Sequence, residues 1–104
     1  MKKWNDREYN IVEWVITYIS EMSVDEKHRA GIRRLKEKPV LQHMYYSEEE
    51  KEALAAAITY FEEMYSYSVK GCLKGSKTVK GVLLRLTYLR GARDKLCADT
   101  KQPS

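Results

Sequence analysis

The sequence predicts an all-α fold, a compact bundle of about four helices around a central helix over residues 48–70. Three observations predict it. Residues 47–69 read SEEEKEALAAAITYFEEMYSYSV, an alanine-rich stretch with helical apolar spacing. The capping-box spacing, a serine or asparagine three residues before a glutamate, occurs at Asn5/Glu8, Ser23/Glu26 and Ser47/Glu50. Only two prolines and five glycines interrupt the 104 residues. One domain is expected over residues 1–98, with residues 99–104 as a fraying tail.

The first helix should open at Asn5 and run to about Met22. Ile11, Val12, Val15, Ile16, Ile19 and Met22 share its inner face at 3.6-residue spacing. Trp14 lies off that face with Tyr18 one turn later. It is either buried by a wide apolar stripe or a partner-binding anchor, since tryptophan and tyrosine are favoured at interface hot spots.

A second helix is expected over roughly residues 24–36, with a thin apolar side of Val24, Ile32 and Leu35. Arg29, Arg33 and Lys36 form a stripe at i, i+4 and i+7, either a solvated face or a phosphate-contacting one. Pro39 ends this helix and begins a connecting loop.

In the central helix Glu48, Glu49, Glu50 and Glu52 place negative charge where the helix dipole is positive. Leu54, Ala57, Ile58, Phe61, Met64, Tyr65 and Ser68 fall on one face, widened by Ala53, Tyr60 and Tyr67. What remains polar is a strip of Glu48, Glu52, Thr59, Glu62, Glu63 and Ser66, and so narrow a wet strip implies neighbours on more than one side. After a basic connection, KGCLKGSKTVKG, a last helix starting at Ser76 or Thr78 should turn Val79, Val82, Leu83, Leu86, Leu89 and Leu96 inward. The competing local pattern is α+β: residues 65–73 and 78–89 as a β-hairpin after three helices, a winged-helix outline. The i, i+3, i+4, i+7 leucine spacing favours the helix.

The net charge of +4 conceals an asymmetry: residues 1–43, 44–69 and 70–104 carry about +2, −5 and +7. A basic last third beside an acidic central helix implies internal pairing, a polyanion site, or both. The residues singled out for nucleic acid are Arg29, Arg33, Lys36, Lys70, Lys74, Lys77, Lys80, Arg90 and Arg93. For Arg90 and Arg93 the alternative is pairing with Glu62 or Glu63. Four glutamates in the first turn of the central helix argue against its reading a DNA groove.

No GxSxG, HExxH, Walker, CxxC or dinucleotide pattern occurs, so no enzyme activity, cofactor or metal is read from the sequence. Cys72 and Cys97 are expected as reduced thiols. Neither a signal peptide nor a membrane span is expected, which assigns the chain to the cytoplasm. The expected function is a small non-enzymatic module that binds nucleic acid or a nucleoprotein complex. The alternative is a protein-directed regulator or inhibitor that uses the Trp14/Tyr18 edge or the acidic strip of the central helix as a phosphate mimic. Homodimerisation is a further expectation, since short amphipathic helices often complete their core that way.

Overall fold

The computed structural model describes residues 3–38, 46–69 and 77–96. These form four helices: α1 Asp6–Tyr18, α2 Glu26–Glu37, α3 Glu48–Val69 and α4 Lys77–Leu96, with a 3-10 turn Glu21–Ser23 between the first two. Among the described residues there is no strand. Residues 65–69 and 77–89 are helical, which overturns the hairpin alternative.

Two of the three expected capping boxes form. Asn5 Oδ1 accepts from the Glu8 amide at 2.9 Å, and Glu8 Oε1 accepts from the Asn5 amide at 2.9 Å. Ser47 and Glu50 exchange the equivalent bonds at 3.2 and 2.9 Å. The third, Ser23/Glu26, does not form. Instead α1 stops at Tyr18, Ile19 turns extended, and Ser20 caps the 3-10 turn by accepting from the Met22 amide. A serine that bonds its own neighbouring backbone competes with helix continuation. Asp25 then precedes α2 without a side-chain cap bond. Because the chain has left the helix, Met22 is exposed instead of lying on the expected inner face.

The contacts fix the helix directions. Glu50, Glu49 and Ala53 of α3 meet Lys38, Arg34 and Gly31 at the end of α2, so these two run antiparallel. Glu62 and Tyr65 of α3 meet Arg93, Arg90 and Arg85 of α4, again antiparallel. Glu8, Arg7 and Trp14 of α1 meet Lys95, Tyr88 and Arg85, so α4 is antiparallel to α1 as well. Helix α3 packs on all three others, as its narrow polar strip implies, whereas α2 and α4 lie on different sides of it.

The core gathers Val12, Val15, Ile16 and Ile19 of the first segment, Ile32 and Leu35, Leu54, Ala57, Ile58 and Phe61, and Leu89, Ala92 and Leu96; Leu86 is buried as well. On α4 the expected inner residue Leu83 is half-exposed. On α3 Met64, Tyr60 and Tyr67 are also exposed, because α1 and α4 cover only one sector of its last turns.

Gly31 lets α2 approach α3 closely: a Cβ there would lie 2.6 Å from Ala53 Cβ and 3.2 Å from the Glu49 carbonyl. Gly81 meets nothing within 4 Å. Gly31→Ala should therefore destabilise by about 1–3 kcal/mol through overpacking. Gly81→Ala should stabilise by about 0.5–1 kcal/mol through helix propensity. Urea unfolding followed by circular dichroism checks the opposite signs.

Candidate functional site

Among the described residues, the basic side chains singled out by the sequence are divided between α2 and α4. Helix α2 carries Arg29, Arg33 and Lys36, yet Glu21 of the 3-10 turn reaches across to them. Arg33 donates to both its carboxylate oxygens, Nε to Oε1 at 3.1 Å and Nη2 to Oε2 at 3.0 Å. The hydrogen bond from Arg33, aided by the nearby charges of Lys36 and Arg29, holds the Glu21 carboxyl below the usual carboxylate range. Arg29 is partly buried, and its Nε has no hydrogen-bond partner. Lys36 is exposed.

Arg90 and Arg93 take the internal alternative. Arg93 Nη1 donates to Glu62 Oε1 at 2.8 Å and to Thr59 Oγ1 at 3.0 Å, and Arg90 Nε donates to Glu62 Oε2 at 2.6 Å. Burial pushes the Glu62 carboxyl up, but the hydrogen bonds from Arg93 and Arg90 outweigh it and hold the group below its ordinary value. Lys80 is exposed on α4, and Lys77 is its first residue. Lys70, Lys74, Cys72, Cys97, His43 and the expected tail at 99–104 lie outside the described residues.

Of the expected acidic strip of α3, Glu62 is engaged by α4, whereas Glu48, Glu52 and Glu63 are exposed, Glu48 paired with Lys51 of its own helix. Glu49 pairs with Arg34 at 2.8 Å, Glu50 with Lys38 at 2.7 Å, and Glu62 with the two α4 arginines.

Trp14 follows the buried reading in part. Its ring packs on Phe61 with centroids 4.9 Å apart and on Tyr65 at 6.0 Å, so it is partly buried under α3. Tyr18, 67% exposed, stands beside it at 5.4 Å.

The other edge of Trp14 lines a cleft of about 250 Å³ between α1 and α4, with Arg7, Asn10, Ile11, Arg85 and Tyr88. The Arg85 guanidinium lies 5.9 Å from the Trp14 ring centre and 6.0 Å from that of Tyr65, whose hydroxyl it meets at 3.3 Å. The Arg7 guanidinium lies 5.7 Å from the Tyr88 ring centre and donates to the Tyr88 hydroxyl. Among the described residues, neither arginine pairs with a carboxylate. Cation–π contacts hold a guanidinium in place without cancelling its charge. Sequence reading had passed over Arg7, Asn10, Arg85 and Tyr88. The available signal was Arg7/Ile11/Trp14 at i, i+4, i+7 and Arg85/Tyr88 at i, i+3, which put these side chains on single helix faces.

A second, more open recess lies between the start of α2 and α3, lined by Ser23, Val24, Asp25, Ala56, Thr59, Tyr60 and Glu63. Its two ionisable carboxylates give it the opposite charge character. Among the described residues no three metal-ligating side chains cluster, and no helix is long and apolar enough to cross a membrane. Comparison with protein families, curated proteins and solved structures finds no match.

The Glu62 triad gives a pH prediction. A carboxyl whose folded-state pKa is depressed contributes stability that is complete above its unfolded value, about 4.3, and is lost as pH falls through the folded value. Glu62→Gln should lower stability at pH 7 by roughly 1–3 kcal/mol. It should also lose less than the wild type on acidification to about pH 3. Urea titrations at the two pH values test this; equal acid losses for both proteins would contradict it.

Proposed function

We propose that the chain is a small non-enzymatic binding module of the cytoplasm that holds nucleic acid through the α1–α4 cleft. Arg7 and Arg85 take backbone phosphates, and exposed Lys80 adds charge on the same helix as Arg85. The observation that carries this reading is the contrast between arginines. Arg33, Arg34, Arg90 and Arg93 each have a carboxylate partner, whereas among the described residues Arg7 and Arg85 are braced by aromatic rings and phenol hydroxyls and by no carboxylate. A fixed guanidinium with no counter-charge loses little freedom on meeting a phosphate. The α2 stripe contributes less, because a phosphate there must first displace Glu21 from Arg33.

Titrating a fluorescent oligonucleotide at several salt concentrations tests the proposal. Affinity should fall steeply with salt, and Arg7→Ala/Arg85→Ala should reduce the slope of log affinity against log salt by about 2. Arg90→Ala should leave that slope unchanged, as Arg90 serves Glu62. No binding at low salt rejects the reading.

The protein-directed alternative has its own support in the exposed apolar side chains Tyr18, Leu83 and Leu84. Tyr18 beside a partly buried Trp14 has the composition of an interface hot spot. In its simplest form the partner is a second copy of the chain. Sedimentation at low and high protein concentration should then show a dimer that Leu83→Ser/Leu84→Ser dissociates. A monomer throughout excludes the homodimer.

A further inference from the structure

We infer that the α1–α4 cleft recognises an unpaired nucleobase, which makes the module selective for single strands over duplex. The inference rests on the nucleic-acid reading above and deepens it. The cleft is concave, and its walls are flat groups: the Trp14 edge, the Tyr88 ring and the guanidinium planes of Arg7 and Arg85. Bases freed from a helix are held by stacking on aromatic rings or on arginine planes. Arg85 lies over the rings of Trp14 and Tyr65, which stack on each other at 27° and pack on Phe61 of the core.

A recess of about 250 Å³ has room for a flat ring. A duplex offers such a recess only its phosphates, because drawing a paired base out of the stack costs a few kcal/mol. The exposed Asn10 amide on the cleft wall supplies a donor and an acceptor for a base edge. Duplex reading from the other side of the molecule is disfavoured, since the first turn of α3 presents Glu48 and Glu49 at the surface.

The test is fluorescence anisotropy at low salt with four probes: a single-stranded oligonucleotide, its duplex, the same strand carrying abasic sites, and an acidic peptide of matched charge containing tyrosine. The intact strand should bind about 5–150-fold more tightly than the abasic one, the range expected for stacking one base. Arg85→Lys, which keeps the charge but removes the plane, should erase most of that difference while leaving duplex affinity nearly unchanged. Tyr88→Leu gives a second variant whose circular dichroism can be compared with that of the wild type.

Equal affinity for intact strand, abasic strand and duplex overturns base recognition and leaves phosphate binding standing. No binding by any nucleic acid overturns both. A peptide that binds as tightly as the intact strand, with the same dependence on Arg85, assigns the cleft to an acidic protein segment and overturns the inference.

Discussion

Glu8 and Glu50 are 4% and 3% exposed, and a carboxylate so buried costs several kcal/mol unless its oxygens are satisfied. Each answers this at Oε1 in the same way, while Glu50 Oε2 stays buried with no hydrogen-bond partner. Each stands at the third position of its helix, closes a capping box with the residue before the helix, and takes a lysine from another part of the chain: Lys95 for Glu8 at 2.6 Å and Lys38 for Glu50 at 2.7 Å. The two carboxylates therefore do more than start their helices. One fixes the last turn of α4 against the first of α1, and the other fixes the end of α2 against the first of α3.

Aromatic packing around these caps makes the joints stiffer. Trp4 and Tyr46 are the residues just before the two capping boxes. Their rings meet edge-on at 6.5 Å, and Trp4 also meets Tyr9 edge-on at 6.2 Å. The Trp4–Tyr9 contact is a hydrophobic staple between the residue before the cap and the fourth helical position. Trp4 Nε1 donates to the Ala92 carbonyl at 3.1 Å, and Gly91 leaves the space that Glu8 needs: a Cβ there would lie 2.5 Å from Glu8 Oε2. With α4 locked at Ala92 and Lys95, each turn of α1 beyond Glu8 meets a turn of α4 nearer its start. Arg85 is thereby brought to Trp14, while Tyr88 lies within reach of Arg7, beside Glu8. The cleft is a consequence of that register.

The local part of this structure was legible in the sequence, and the long-range part was not. Ser47/Glu50 and Asn5/Glu8 announced two helix starts because a capping box is complete within four residues. Ser23/Glu26 has the same spelling, but Ser20, Ile19 and Glu21 offered the chain a different route, and the competition is invisible to a pattern. Periodicity identified Leu86 and Leu89 as core and misplaced Leu83 and Met22. It reports which residues share a helix face, whereas burial also depends on how far the neighbouring helix extends. Trp4 was missed because it precedes its helix and has no period. Nor could the sequence say that Glu21 would lie across the α2 stripe, since that contact spans a turn whose geometry only the fold supplies.

The charge asymmetry shows most clearly how structure narrows a sequence reading. Of the two explanations for an acidic centre beside a basic end, internal pairing accounts for Arg34, Lys38, Arg90 and Arg93, each held by a glutamate of α3. Salt bridges with exposed partners contribute at most about 1 kcal/mol each, so their chief effect is to neutralise local charge and place side chains. What they leave unneutralised is informative. The α3 glutamates face α2 and one flank of α4, and the opposite flank of α4, turned towards α1, carries Arg85 across from Arg7. Positive charge survives there because, among the described residues, α3 meets Arg85 through Tyr65 and not through a glutamate, and the aromatic side chains between α1, α3 and α4 brace those cations without cancelling them.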